Sequence, residues 1–182
     1  MDDSMRETSV LIISGSMGAG KTTLLGEAVD LLKAANIHHA AIDLDALDLG
    51  HLPISANVLL RRNLAAVWGN YAAAGISRLL ISGALETSAQ RDEIRSAIPD
   101  ARIVICRLRA SLETMQHRVR LREPGPLQEQ FVARVAVLES ALDASALEDF
   151  AVDNDGRPVA DVAREVLARA GWLREDTPAV KR

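Results

Sequence analysis

The chain has 182 residues, 48% of them hydrophobic, which suits one compact domain with a sizeable core. Its formal net charge of −4, with acidic and basic residues interspersed, excludes a broad positive face for nucleic acid or an anionic membrane, so any basic site must be local. One cysteine excludes internal disulfides, and the polar start "MDDSMRETS" leads into an apolar run of about five residues, too short for an export signal or a membrane span; a cytoplasmic protein is predicted.

Taken in chain order, short apolar runs alternate with longer segments of helical periodicity, the mark of βαβ units and a parallel sheet. Strands are predicted over Val10 to Ser14, His39 to Asp43, Arg78 to Ser82, Arg102 to Arg107 and, more weakly marked, Asp149 to Val152. Between them, "TTLLGEAVDLLKAAN", "SANVLLRRNLAAVWGNYAAAG" and "PVADVAREVLARAG" carry apolar residues at three- and four-residue spacings and finish on Asn or Gly. Ser111 to Ala146 breaks the alternation: two helical segments flank "REPGP" with no strand between them, a helical hairpin placed where a mononucleotide-binding fold would carry a lid, about residues 111–146 of a single domain spanning 1–182. Cys106, inside "RIVIC", reads as a buried thiol, Trp68 and Tyr71 at i, i+3 as a core contact, and the stretch after Gly171 as a fraying end.

The opening strand runs into Gly15, Ser16, Met17, Gly18, Ala19, Gly20, Lys21 and Thr22, which satisfy G-x-x-x-x-G-K-[ST], the P-loop pattern. Glycines let the backbone turn with φ > 0 and bring its N–H groups against phosphate oxygens, and the following helix offers its positive end to the same anion. Lys21 would bridge the β- and γ-phosphates, and Thr22 would give its hydroxyl to Mg²⁺, with Thr23 next to it at the start of the helix. The segment is therefore read as a nucleoside-triphosphate site.

Other features decide what is done with the phosphate. Asn-Lys-x-Asp, which marks guanine-nucleotide switches, is absent from the sequence, and the third strand ends in Ser82-Gly83 instead of the catalytic acid usual in mechanical ATPases. Acids stand instead in "AAIDLDALDLG": Asp43 and Asp45, two apart, would leave one face of an extended strand at the sheet edge that also carries the P-loop. One carboxylate could hold Mg²⁺ and the other orient or deprotonate an acceptor hydroxyl. Asp48 fits a surface acid in a turn, and His38, His39, His51 and His117 show no metal-ligand spacing.

On "GSMGAGKTT", "DLD", "VICRLRASLETMQHRVRLRE" and "FAVDNDGRPVADVAREVL", in that order, the chain resembles the small P-loop kinases of metabolites: shikimate, gluconate and adenylyl-sulfate kinases and chloramphenicol phosphotransferase. The resemblance implies an α/β, three-layer P-loop NTPase fold with a five-stranded parallel sheet in the order 2-3-1-4-5 and a helical lid. It implies that Asp45 contacts the acceptor and Asp43 serves the metal. It points to Arg118 and Arg122 as lid arginines over the nucleotide and the transferred phosphate, with Arg120 as an alternative. It places the turn holding Asp153, Asn154 and Arg157 beside the adenine, and Arg61 or Arg62, next to Asn63, toward an anionic substrate, with at most one of the two facing inward. Ser82, Gly83 and Glu86 would line the opposite wall.

The sequence thus predicts an ATP-dependent, Mg²⁺-dependent phosphotransferase acting on a hydroxyl of a small metabolite or antibiotic, as monomer or homodimer, without nucleic-acid or membrane partners. Lys21, Asp45 and Arg122 are its expected catalytic residues. The alternatives are a nucleotide kinase and a non-catalytic ATP-binding regulatory module.

Overall fold

Each strand segment carries apolar residues at both odd and even positions, so both faces of the ribbon must be covered, and helices must lie on both sides of the sheet. The computed structural model, which describes residues 7–47 and 56–174, has that layout. Strands β1 (Ser9–Ser14), β2 (Ala40–Asp43), β3 (Arg78–Ser82), β4 (Arg102–Arg109) and β5 (Phe150–Asp153) form one parallel sheet in the order β2-β3-β1-β4-β5. Strand β4 runs two residues past its predicted end, because Leu108 and Arg109 still pair with Val152 and Asp153. The helices are α1 (Lys21–Ala34), α2 (Ala56–Ala73), α3 (Ser88–Ala97), α4 (Leu112–Arg122), α5 (Gln128–Ser145) and α6 (Val159–Arg169), with a single 3₁₀ turn at Leu44–Ala46. Asp48, His51 and the chain beyond Arg174 lie outside the described residues.

Alternation along β1 divides the core in two. Leu11 and Ile13 pack with Leu24, Leu31 and Leu32 of α1 and Val162, Val166 and Leu167 of α6. Val10 and Ile12 face the other way, toward Leu64 and Trp68 of α2 and Ile94 and Ala97 of α3, with Tyr71 packed at the margin. A third cluster joins Ala19, Met115 and Val119 of α4, and Val132 and Val135 of α5, so the α4–α5 hairpin is seated on the loop that follows β1. Among the described residues no helix is long and apolar enough to cross a membrane.

Among the described residues, one charged side chain is buried inside this frame. Arg107 on β4 is 1% exposed; its guanidinium donates to Asp143 at 2.7 Å and Glu139 at 2.9 Å, both on α5, and lies 3.7 Å from Glu148. Its own burial opposes the charge, but these acidic partners outweigh that and hold it more firmly protonated than an ordinary arginine. Arg107 therefore fastens the second helix of the hairpin to the sheet. The sequence reading assigned it only to a strand, since nothing in "CRLR" marks which arginine turns inward.

Removing one member of a buried charge cluster leaves the others uncompensated, so Arg107→Met is expected to cost about 3 kcal/mol in urea unfolding. A loss below about 1 kcal/mol, the level of an exposed pair, would show that α5 is held by its apolar contacts alone. Burial also pushes the Cys106 thiol up to about 12, so a thiol reagent at pH 8 is expected to label the protein only after denaturation.

Candidate active site

The loop between β1 and α1 is built by glycines where no side chain fits. Gly18 and Gly20 have φ of 78° and 97°, and a Cβ on Gly18 would run into the carbonyl of Met115 in α4. A Cβ on Gly15 would stand 2.6 Å from the Leu108 carbonyl oxygen. The loop's own carbonyls are taken up by side chains: Lys21 Nζ donates to Ser16 O at 3.1 Å, Arg118 Nη1 to Gly18 O at 3.2 Å, and Asn154 Nδ2 to Ala19 O at 2.6 Å. Buried Ser16 donates its hydroxyl to the Val135 carbonyl, and Ala19 fills the third core cluster. Helix α1 starts after Gly20 with no capping side chain and no acid in its first turn, so its leading N–H groups have neither a side-chain acceptor nor a competing carboxylate.

At the end of β2 the chain departs from the extended form expected for "DLD". Asp43 caps the 3₁₀ turn, its Oδ1 accepting from Asp45 N at 3.2 Å, while its Oδ2 accepts from the Thr22 hydroxyl at 3.0 Å. The two carboxylates are therefore separated by a turn instead of sharing a strand face: Asp43 is directed at Thr22, and Asp45 lines the cavity. The turn is kept close to β3 by Gly83, where a Cβ would come within 2.8 Å of Leu44.

These pieces enclose a cavity of about 540 Å³. Met17, Gly18, Gly20, Lys21, Thr22 and Thr23 form its floor, and Asp45, Gly83, Glu86, Arg118 and Arg122 stand around it. Gly15, Ser16 and Ala19 lie beneath, buried. Burial lowers the Lys21 ammonium below its ordinary pKa; Asp45 and Asp43 pull against that, Arg122 adds to it, and Glu139 again opposes it. Arg122 is well exposed and pairs with Glu123 at 2.9 Å.

Four residues singled out from the sequence stand elsewhere. Arg61 and Arg62 are exposed on α2 and do not line the cavity, because Leu60 and Leu64, one turn apart, take the inward face. Asn63 donates to the Leu47 carbonyl at 2.6 Å. Arg157 binds the Asp153 carbonyl and Glu165, away from the cavity wall. In the same turn Asn154 reaches the P-loop, and Asp155 accepts from the Ser111 amide at 2.7 Å, a bond that holds its carboxyl below the usual range and fixes the start of α4. Leu44, Leu60, Gln90, Arg134 and Leu138 also line the cavity. None of these carries a local sequence signal, since each reaches the cavity from a separate element.

No protein-family profile and no curated protein sequence matches the chain. Solved structures do share its fold. A gluconokinase from Sinorhizobium meliloti 1021 is 20% identical, with 93% of this chain and 95% of that one covered and a TM-score of 0.60. The tunicamycin resistance protein of Deinococcus radiodurans is 16% identical over 91% and 97%, with a TM-score of 0.65. The APS kinase of Mycobacterium tuberculosis, solved with AMPPNP and APS, is 19% identical over 88% and 96%, with a TM-score of 0.63. The fold expected from the resemblance to small-molecule P-loop kinases is therefore the fold observed.

A partly buried ammonium held below its ordinary pKa is a destabilising group while it is protonated, and the cost fades as pH rises through the folded-state pKa. Lys21→Met is therefore expected to raise the Tm of the nucleotide-free protein by a few degrees at pH 7, with the gap to the parent narrowing at alkaline pH; calorimetric scans across pH test this. Gly18→Ala, in contrast, is expected to lower Tm, because positive φ and the Met115 carbonyl both oppose it.

Proposed function

We propose that the chain is an ATP-dependent phosphotransferase that moves the γ-phosphate to a hydroxyl of a small acceptor. One observation carries this reading: a glycine-built anion cradle with Lys21, the Thr22 hydroxyl and the Asp45 carboxylate meet in one cavity, with the Asp43 carboxylate directly behind Thr22. The shared fold of the kinases above supports it, among them one solved with an ATP analogue and its acceptor.

The loop amides and Lys21 would hold the polyphosphate, with Arg118 over the nucleotide side and Arg122 free to leave Glu123 for the transferred phosphoryl group. The Thr22 hydroxyl and the Asp43 carboxylate, 3.0 Å apart, are hard oxygen donors of the type Mg²⁺ takes, so the residues present fit that ion. Bound there, Mg²⁺ would neutralise charge on the β- and γ-phosphates. Asp45 would orient the acceptor hydroxyl and receive its proton as the oxygen attacks the γ-phosphorus. The new O–P bond forms as the bond to the β-phosphate oxygen breaks, and ADP departs. Because Arg107 fastens α5 to the sheet, we assign closure over the cavity to the far end of α4 and the turn at residues 123–127.

Transfer from γ-labelled ATP to a panel of hydroxyl compounds is the test. Asp45→Asn is expected to lower kcat by about 10²- to 10⁴-fold, the size of a lost general base, while ATP affinity by calorimetry stays within about twofold. Thr22→Ala and Asp43→Asn should each raise the Mg²⁺ concentration needed for half-maximal rate. Absence of any heat on mixing the protein with MgATP would overturn the reading at its root.

A further inference from the structure

The acceptor side of the cavity has a composition that the nucleotide side does not. Leu44, Leu60, Leu85, Ile94 and Leu138 line it from five different segments of the chain, the four besides Leu60 being core side chains that show the cavity only an apolar edge. Its charges among the described residues are Asp45, and Glu86 with Arg134 Nη2 3.7 Å from Glu86 Oε1. Gln90 also lines it, but its Oε1 already accepts from the Glu86 and Thr87 amides at 2.7 and 3.1 Å, so what it has left to offer is a neutral amide donor. Arg61 and Arg62, one of which the resemblance points toward an anionic substrate, stand outside the lining.

We infer that the acceptor is an uncharged alcohol with an apolar body, an aryl or alkyl portion lying on the leucine and isoleucine wall, and not a carboxylate, sulfate or phosphate ester. The inference rests on the phosphotransferase reading, which assigns Lys21, Arg118 and Arg122 to the polyphosphate and so removes them from the acceptor. Among the described residues, an anionic acceptor would then meet Asp45 and Glu86 with the Glu86-paired Arg134 to offset them, and would lose its hydration against apolar side chains. A neutral hydroxyl instead finds a carboxylate acceptor at Asp45, an amide donor at Gln90 and apolar surface for the rest of the molecule.

Matched pairs separate charge from shape: phenyl β-glucoside with phenyl β-glucuronide, thymidine with thymidine 5′-monophosphate, and phenylglycol with mandelate. Each is assayed with the whole protein for phosphoryl transfer from MgATP and, by calorimetry in the presence of MgAMPPNP, for binding. The neutral member of each pair that is bound or turned over is expected to lead by at least about tenfold in Kd or kcat/KM. Leu60→Arg, which adds a cation to the apolar wall, is expected to shrink that lead by about tenfold and leave ATP affinity unchanged. Equal or better use of the anionic members overturns the inference while leaving phosphotransfer standing. Preferential binding of the neutral members with no transfer to any compound keeps the inference about the pocket and defeats the phosphotransferase reading. Binding of neither class with MgAMPPNP in place overturns the inference as well.

Discussion

The chain between β1 and α1 must turn sharply while its backbone stays in contact with two other segments, and the rest of the cavity is arranged around that constraint. Gly15 passes against the Leu108 carbonyl and Gly18 against that of Met115, so side chains are excluded from both positions. Three cations or amides then take the carbonyls of Ser16, Gly18 and Ala19. Only Lys21 among these donors is local. Arg118 comes from α4 and Asn154 from the turn after β5, so the loop's geometry depends on elements that follow it by most of the chain's length.

This dependence couples the loop to the helical hairpin. The hairpin rests on Ala19 and on the Ser16 hydroxyl, and Arg107 binds its second helix to β4 through Glu139 and Asp143. The Asp155 carboxylate, close after β5, holds the amide that begins the first helix. A hairpin tied at its second helix and at the N-terminus of its first leaves the far end of α4, with Arg122, as the part with fewest anchors. The proposed closing motion is confined to that end for this reason.

The same cavity joins two environments with different physical demands. On the floor, glycines, Lys21 and a helix start with uncompeted N–H groups favour a multiply charged anion. On the side proposed to take the acceptor, apolar side chains and a compensated Glu86 would favour a molecule with little charge. Lowering of the Lys21 pKa by burial links stability to binding here: the folded protein carries an unfavourable ammonium that a polyphosphate would relieve.

Local chemistry was legible in the sequence wherever it depends on fixed offsets. The G-x-x-x-x-G-K-[ST] run, the short apolar runs of the strands and the helical spacing between them determined the five strands to within a residue or two, the position of the cradle and the hairpin without a strand. Tertiary structure alone decided the remainder. Asp43 and Asp45 were legible as a pair, but the 3₁₀ turn capped by Asp43 itself sends one to Thr22 and the other to the cavity. Arg61 and Arg62 were legible as a polar break in α2, yet the inward face is set by Leu60 and Leu64, and α2 must pack before that face is defined. Arg107 and Arg134 look like any surface residue in their local windows, and Asn154, legible as part of a turn, was expected at the adenine and not on the Ala19 carbonyl. Their positions follow from long-range packing of α5 and β5, where the free energy of burying apolar surface fixes the backbone and polar partners must then be found wherever the chain has been brought.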